Sequence, residues 1–533
     1  MFRLIRALTQ PALRPMLSAF EDQLRHPRES QQRLLKKLIA SLSATEYGRA
    51  LKVKAGDDYQ TFAARAPIAG YDALSSWIER QRREEGSVLV AEPVLFYEKT
   101  SGSSGPAKYI PYTRGLKSSF NRMFLIWLGD LLRHGPRFET GKVWISVSPA
   151  LQSPEATARG IRVGLDDDAE YLTRWMQFAL KPLMALPPEI SRLRDPTAFK
   201  HVLATLLLAA GDLEIISIWN PSLLTLLLDY IQANREALAA DVEQGRLVRE
   251  GVTFKFPHVS KSRLARLRES RIRWVRLWPR LKLISCWTSA QAVTAARGIG
   301  HAFPGVCVQG KGLLATEAPL TLPLIEAHGY VPLPSEVFYE FLDDQGRVSL
   351  LHELEAGREY EIVLTQRGGL TRYRIGDVVR VTHFYRAAPC LEFQGRRDAV
   401  CDLVGEKLSE GWVRACLAKF PFPPDGFQIV LPVESEHGPS YYLLVADCLP
   451  DSPASFAESF DEALSRGYHY RYARQLGQLE AVKVCLARRV REAYYDYFMN
   501  RGMKWGDIKH RYLIQCPEEA AKLRQWFSHS MTV

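Results

Sequence analysis

The sequence predicts an α/β protein: a large N-terminal α/β domain with a β-rich module, joined by a hinge to a smaller α+β C-terminal domain. Three observations lead there. Short β-branched runs alternate with apolar runs at helical spacing through most of the chain. That texture changes around residues 395–405. The 533 residues, 47% hydrophobic and 24% charged, have an ordinary globular composition, which excludes a collagen-like, coiled-coil or largely disordered chain. At roughly 150 residues per domain the length suits about two to four domains.

The first hundred or so residues read as helical, with apolar positions at helical spacing over 18–43. A strand-like run at 88–97 leads into a Gly/Ser-rich loop at 100–108. Residues 115–132 read as a helix and 142–147 as a strand. Helices follow at 203–210 and 220–231, the second with Asn220 as N-cap and Pro221 at the first helical position. Residues 281–285, 306–308 and 337–341 are short strands, and 359–366 and 377–383 belong to the β-rich module. Strands at 428–433 and 441–446 and a helix at 456–466 complete the reading. Texture places a domain boundary near residues 395–405.

The eight cysteines contain no C-x-x-C pair, so a zinc ribbon or thioredoxin-type site is not indicated. They read as buried thiols in a reducing cytoplasm. Arg3, Arg6 and Arg14 precede the first acid, Glu21. That pattern suits a surface amphipathic helix interrupted near Pro11 and Pro15, or an organelle transit peptide. The most apolar stretch, 202–231, is broken by Asp212, Glu214 and the Asn220-Pro221 pair, so no membrane span is expected. The net charge of +11 is spread along the chain and suits an anionic small substrate such as a nucleotide; no nucleic-acid motif accompanies it. His201, His258, His301 and His352 show no metal-ligand spacing.

The strongest signal is the run Thr100, Ser101, Gly102, Ser103, Ser104, Gly105, Pro106, Ala107, Lys108. Small residues let the backbone turn tightly with several N–H groups pointing inward. Such a nest holds phosphate, helped by hydroxyls and a lysine, although a flexible connector has the same composition. It is not a Walker A loop: Ala107 stands where a glycine must precede the lysine, and Tyr109 where Ser or Thr must follow. Nor is it a nucleophile elbow, because Pro106 is the second residue after Ser104.

This run resembles the phosphate loop of the adenylate-forming superfamily, in which two Ser/Thr, Gly, two Ser/Thr, Gly, two variable residues and Lys follow in order. Three further segments resemble later motifs of that superfamily. Residues 312–317 are similar to Tyr-Gly-x-Thr-Glu, with Thr316 and Glu317 matching. The resemblance implies that Glu317 positions Mg2+ near the phosphates. Leu313 and Leu314 replace the Tyr and Gly, so adenine stacking has to come from elsewhere. Residues 373–377 resemble Tyr-Arg-x-Gly-Asp, which implies Tyr373 in the ATP site and Asp377 on the ribose hydroxyls; taken alone, Asp377 reads as a solvated turn residue. Residues 395–408 resemble the hinge motif, which implies Arg396 and Lys407 against the nucleotide and a pivot within 398–402; taken alone they are a charged linker. The resemblance implies the finer division into an N-terminal domain over 1–394, a hinge over 395–408 and a mobile lid over 409–533. Lys509 resembles the C-terminal lysine that reaches the carboxylate and α-phosphate during adenylation, with Lys504 as competitor.

Residues 96–113, 217–224, 283–288 and 308–317 are similar to the auxin-responsive acyl acid–amido synthetase family, in a bacterial-type version, and the likeness covers essentially the whole chain. It implies an ATP- and Mg2+-dependent, AMP-forming ligase that joins a small-molecule carboxylic acid to an amino acid, with no nucleic-acid or membrane partner. Two alternatives stay open: a ligase that passes the acyl group to coenzyme A, and an inactive nucleotide-binding homologue. Retention of Lys108, Glu317, Asp377 and Lys509 argues against the second. For the acyl pocket, Phe120, Phe124, Trp127 and Leu128 on one helix, with Trp219 and Trp287, are candidates, and ordinary core packing accounts for the same residues.

Overall fold

A four-stranded parallel sheet sets the position of everything that follows, running Cys307–Gly310, Leu283–Cys286, Leu213–Ser217, Lys142–Ile145 from edge to edge. The computed structural model describes residues 2–84, 86–99, 108–146, 155–164, 180–397, 400–404, 406–423, 426–435, 439–503 and 505–530. Helices Pro196–Ala209, Pro221–Ala233 and Val293–Ala302 lie between successive strands, as parallel strands require crossover connections. Asp195 caps the first by accepting from Thr197 N and Ala198 N. That cap starts the helix upstream of the apolar run from which the sequence reading began it. Asn220 caps the second through Ser222 N, with Pro221 at its first position, as expected from the sequence.

The β-rich module is a five-stranded antiparallel sheet in the order Val348–Leu350, Phe338–Leu342, Glu359–Thr365, Tyr373–Tyr385, Ala388–Arg396. Its core also takes in Leu34, Leu38, Ile78, Tyr112 and Leu313. Beyond Arg396, Cys401 and Leu408 join a separate core with Val430, Tyr442 and Phe456. There Gln428–Val433 and Tyr441–Ala446 pair antiparallel, and Lys483–Leu486 adds in parallel. The core around the parallel sheet continues into the C-terminal region through Tyr494, Trp505, Ile508 and Leu523.

Three readings from sequence need correction. The N-terminal helix is not interrupted: Phe2–Arg25 is one helix with Pro11 and Pro15 inside it. Each proline removes one backbone bond, but Phe20 and Leu24 pack with Met123 and Ile126 of helix Arg114–His134. Gly129 lets Leu17 approach closely, since a Cβ there would lie 2.9 Å from its Cδ1. Tertiary packing thus outweighs the lost bonds. The strand predicted from residue 88 begins at Val94, because Gln81 Oε1 accepts from Leu89 N and Val90 N and takes them out of any ladder. Of the eight free thiols, Cys286, Cys390, Cys401 and Cys416 are buried, but Cys307 and Cys516 are exposed; Cys307 opens the edge strand of the parallel sheet.

One ion pair ties the helical N-terminus to the module. Arg372 donates to both oxygens of Glu340 at 2.7–3.1 Å and to the carbonyls of Ala63 and Ala66. The side chains are 7% and 1% exposed. Removing one partner leaves the other charge buried and unpaired. Arg372→Ala is expected to lose about 3–5 kcal/mol of stability, read as a lower denaturation midpoint, whereas Arg380→Ala, in a pair with Glu392 whose two side chains are both exposed, moves it far less.

Candidate active site

Residues just past the C-terminal ends of the parallel strands converge, the place where open parallel sheets present ligand sites. Trp219 follows strand Leu213–Ser217, Trp287 follows Leu283–Cys286, and Lys311 follows Cys307–Gly310. The two indoles are 6.1 Å apart, and Trp287 N donates to Trp219 O at 2.8 Å. Lys311 Nζ lies 5.0 Å from the Trp219 ring and 5.7 Å from that of Trp127, and donates to Ser217 Oγ at 2.8 Å. Close packing constrains this corner: a Cβ on Gly310 would collide with Tyr330 Oη and Thr288 Oγ1, which bond each other at 2.6 Å.

Glu317 and Asp377 form the floor. Glu317 sits where strand Leu314–Ala315 turns into Ala318–Pro319. Gly312 allows that turn: its φ is +76°, and a Cβ would lie 2.5 Å from Thr321 O. Leu313 N donates to Thr321 Oγ1 at 2.7 Å, and Tyr112 Oη donates to Thr316 O at 2.7 Å. Asp377 lies within strand Tyr373–Tyr385 rather than on a solvated turn, directly opposite Arg396 on the neighbouring strand. Arg396 Nε is 3.3 Å from Asp377 Oδ1, and its other arm donates to Ile375 O at 2.7 Å.

Both carboxylates are nearly closed to solvent, at 7% and 8% exposure. Burial raises the Glu317 pKa, against the pull of Arg396, Lys108 and Lys509. Burial likewise pushes Asp377 up to about 6, opposed by Arg396, augmented by Glu317 and opposed again by Lys509. Tyr373 is buried beside them, its phenol pushed up by burial and by the Glu317 charge.

Lys509 comes from the C-terminal region, and its charge acts on both carboxylates. Its ammonium lies 4.7 Å from the Trp287 ring. Protein crowding lowers its pKa, and the charges of Asp377, Asp507 and Glu317 hold it up. Its backbone is fixed on its own side: Tyr494 Oη donates to Lys509 O at 2.8 Å, and the His510 ring meets Gln428 O at 2.7 Å.

The structure therefore brings together Lys108, Glu317, Tyr373, Asp377, Arg396 and Lys509, with Thr316 alongside. Lys108 reaches over the Tyr71 ring at 5.6 Å. Lys407 is exposed in a left-handed conformation, and among the described residues nothing links it to this cluster. Thr100, Ser101, Gly102, Ser103, Ser104 and Gly105 lie outside the described residues, as do Asp398 and Lys504. Sequence reading missed Lys311, although it lies in the family-like segment 308–317 directly before the motif at 312–317, and took Trp219 and Trp287 as pocket or core without seeing them paired. Of the helix aromatics, Phe120 is buried in the core with Tyr112. Among the described residues no three metal-ligating side chains cluster. Glu317, a nearly buried carboxylate with no ion-pair partner among the described residues, suits a cation such as Mg2+ held by one carboxylate plus substrate phosphates.

The chain matches the GH3 family N-terminal domain over residues 16–308, the central domain over 330–396 and the C-terminal domain over 426–518. It is 26% identical over 415 residues to the indole-3-acetic acid-amido synthetase GH3.8 of Oryza sativa subsp. indica, covering 71% of this chain and 68% of that protein. It is 23% identical over 580 residues to the probable indole-3-acetic acid-amido synthetase GH3.7 of Oryza sativa subsp. japonica, covering 93% and 92%. Among solved structures, the AtGH3.15 acyl acid amido synthetase in complex with 2,4-DB superposes with a TM-score of 0.82 at 19% identity, covering 96% and 95%. A 2-hydroxyisobutyryl-CoA ligase in the postadenylation state reaches 0.50 at 13% identity, covering 96% and 91%. No described helix is long and apolar enough to cross a membrane.

The Asp377 shift has a defined sign. A carboxyl raised from 3.8 to about 6 in the folded state binds its proton more tightly folded than unfolded, so its stabilising contribution is full below pH 4 and is lost as pH rises through 6. Against Asp377→Asn, the wild type is expected to lose on the order of 2–3 kcal/mol of relative stability between pH 4 and 6.5, measured by urea denaturation at each pH.

Proposed function

The chain belongs to the GH3 family, and on that premise we propose that it is an ATP-dependent acyl acid–amido synthetase. It adenylates a small-molecule carboxylic acid and transfers the acyl group to an amino acid amine, giving an amide, AMP and pyrophosphate. The observation that supports this reading is the convergence of Lys509, from the C-terminal region, on Glu317, Asp377 and Arg396 of the preceding module.

The chemistry asks for that arrangement. A carboxylate is a poor electrophile at neutral pH, so it is first converted to a mixed anhydride with AMP. Its oxygen attacks the α-phosphorus and pyrophosphate leaves. Two anions meet in this step, and Lys509 reduces their repulsion while Lys108 and the 100–105 loop (Thr100, Ser101, Gly102, Ser103, Ser104, Gly105) hold the phosphates. Asp377 accepts from the ribose hydroxyls, with Tyr373, Thr316, Arg396 and Lys407 completing the nucleotide site. Glu317 would hold Mg2+, which when bound neutralises phosphate charge. In the second step a neutral amine attacks the acyl carbon, the bond to the AMP oxygen breaks and AMP departs. Lys509 has no role there, so rotation of the lid over 409–533 about the hinge 395–408 is consistent with the change of task. Trp219 and Trp287, beside Lys509, form the wall against which the acyl group of the acid rests.

The test is one reaction mixture of purified protein, Mg-ATP, pooled aryl and alkyl carboxylic acids, amino acids and coenzyme A, read by mass spectrometry. An acid–amino acid amide with AMP is expected and identifies both substrates; a coenzyme A thioester without amide, or no AMP with any acid, overturns the reading. Lys509→Ala is expected to lower acid-dependent ATP–pyrophosphate exchange about 10²–10³-fold while leaving amide formation from a supplied acyl-adenylate within about twofold.

A further inference from the structure

Asn220 stands at the meeting point of the two halves of the cleft. It is buried, and its Oδ1 accepts from Ser222 N at 3.0 Å, which caps helix Pro221–Ala233. A helix cap needs only that acceptor, and Ser or Asp serves as well as Asn. The amide adds a donor, and here the donor is used: Asn220 Nδ2 bonds the carbonyl of Ile508, the residue before Lys509.

The same short stretch meets the N-terminal domain at several points. Trp505 is buried with Lys200 Nζ 5.0 Å from its ring. Gly506 faces Ser146, where an added Cβ would lie 3.3 Å from Oγ. Ile508 is buried in the core of the parallel sheet. Behind it, Tyr494 and His510 hold the stretch to its own domain through Lys509 O and Gln428 O. The stretch is therefore a stiff part of the C-terminal domain, and the Asn220 bond fixes how that part seats against the sheet.

We propose that Asn220 is a positioning residue, a latch that seats Lys509 in the cleft for adenylation and releases it for acyl transfer. This rests on the two-step ligase reading above. The bond itself suits a latch: when the stretch withdraws, both the amide and the Ile508 carbonyl regain water, so this one contact costs no more than an ordinary hydrogen bond, while Trp505 and Ile508 supply the apolar part of the seat.

Two substitutions separate latch from cap. Asn220→Asp and Asn220→Ser both keep an acceptor for Ser222 N; aspartate presents an anion to the Ile508 carbonyl, and serine is too short to reach it. Both are expected to lower acid-dependent ATP–pyrophosphate exchange about tenfold and to leave amide formation from a supplied acyl-adenylate unchanged or faster. The second readout needs no substrate. In hydrogen–deuterium exchange of the free protein, the peptide over 503–512 exchanges faster in both variants, while that over 221–233 keeps the wild-type rate. Unchanged exchange over 503–512 overturns the proposal. Faster exchange in both peptides, or equal losses in the two half-reactions, overturns it too, by showing a structural role only. A wild type that forms no AMP with any acid defeats the ligase reading, and the deuterium result still decides whether Asn220 seats the lysine.

Discussion

Two carboxylates, Glu317 and Asp377, lie buried in one cleft, where burial penalises charge and each anion adds to the electrostatic load. Such a floor is costly unless cations face it. The chain supplies them from three directions: Arg396 from the neighbouring strand, Lys108 from just before strand Tyr109–Thr113, and Lys509 from the other side of the domain boundary. Only the last depends on how the C-terminal region is seated. The electrostatics of the floor and the position of that region are therefore coupled: a seated lysine lowers both carboxylate pKa values, and the carboxylates in turn favour the seated arrangement.

The supports of this cleft differ in kind. Asp377 and Arg396 face each other across an antiparallel ladder, and Glu317 stands on a turn locked by Gly312 and Thr321. These positions are fixed by backbone pairing and do not move without unfolding part of a sheet. Lys509 is fixed on its own side by equally local bonds, and its stretch packs against the core of the parallel sheet through Trp505 and Ile508, in a cluster that also takes in Tyr494, Phe498 and Leu523. For the two-step ligation proposed above, a rigid floor faced by a cation from another part of the chain suits a first step that joins two anions.

Much of this was legible in the sequence because it is written locally. The Asn220-Pro221 cap, the strands Gln428–Val433 and Tyr441–Ala446, and the ordered motifs that carry Glu317, Asp377 and Lys509 depend on neighbours within a few residues. What escaped depends on distant partners. Two prolines argue for a broken N-terminal helix until helix Arg114–His134 packs against it. Nothing near Arg372 in the sequence points to its partners, Glu340 and the carbonyls of Ala63 and Ala66. The same holds within the site: Asn220 was recognisable as a cap from its own helix, but its second bond reaches Ile508, far along the chain, and leaves no local trace.

The departure of residues 313 and 314 from the superfamily pattern has a physical reading. An aromatic side chain there would offer a flat face to a base. Leu313 instead turns inward, buried with Phe96, Tyr112 and Phe120, and Leu314 packs toward the N-terminal helix. The backbone N–H of Leu313 donates to Thr321 Oγ1, next to the left-handed Gly312. Here the position anchors the hairpin that carries Glu317, a carboxylate held at low exposure, where a displacement of its backbone would alter its distance to every cation in the cleft.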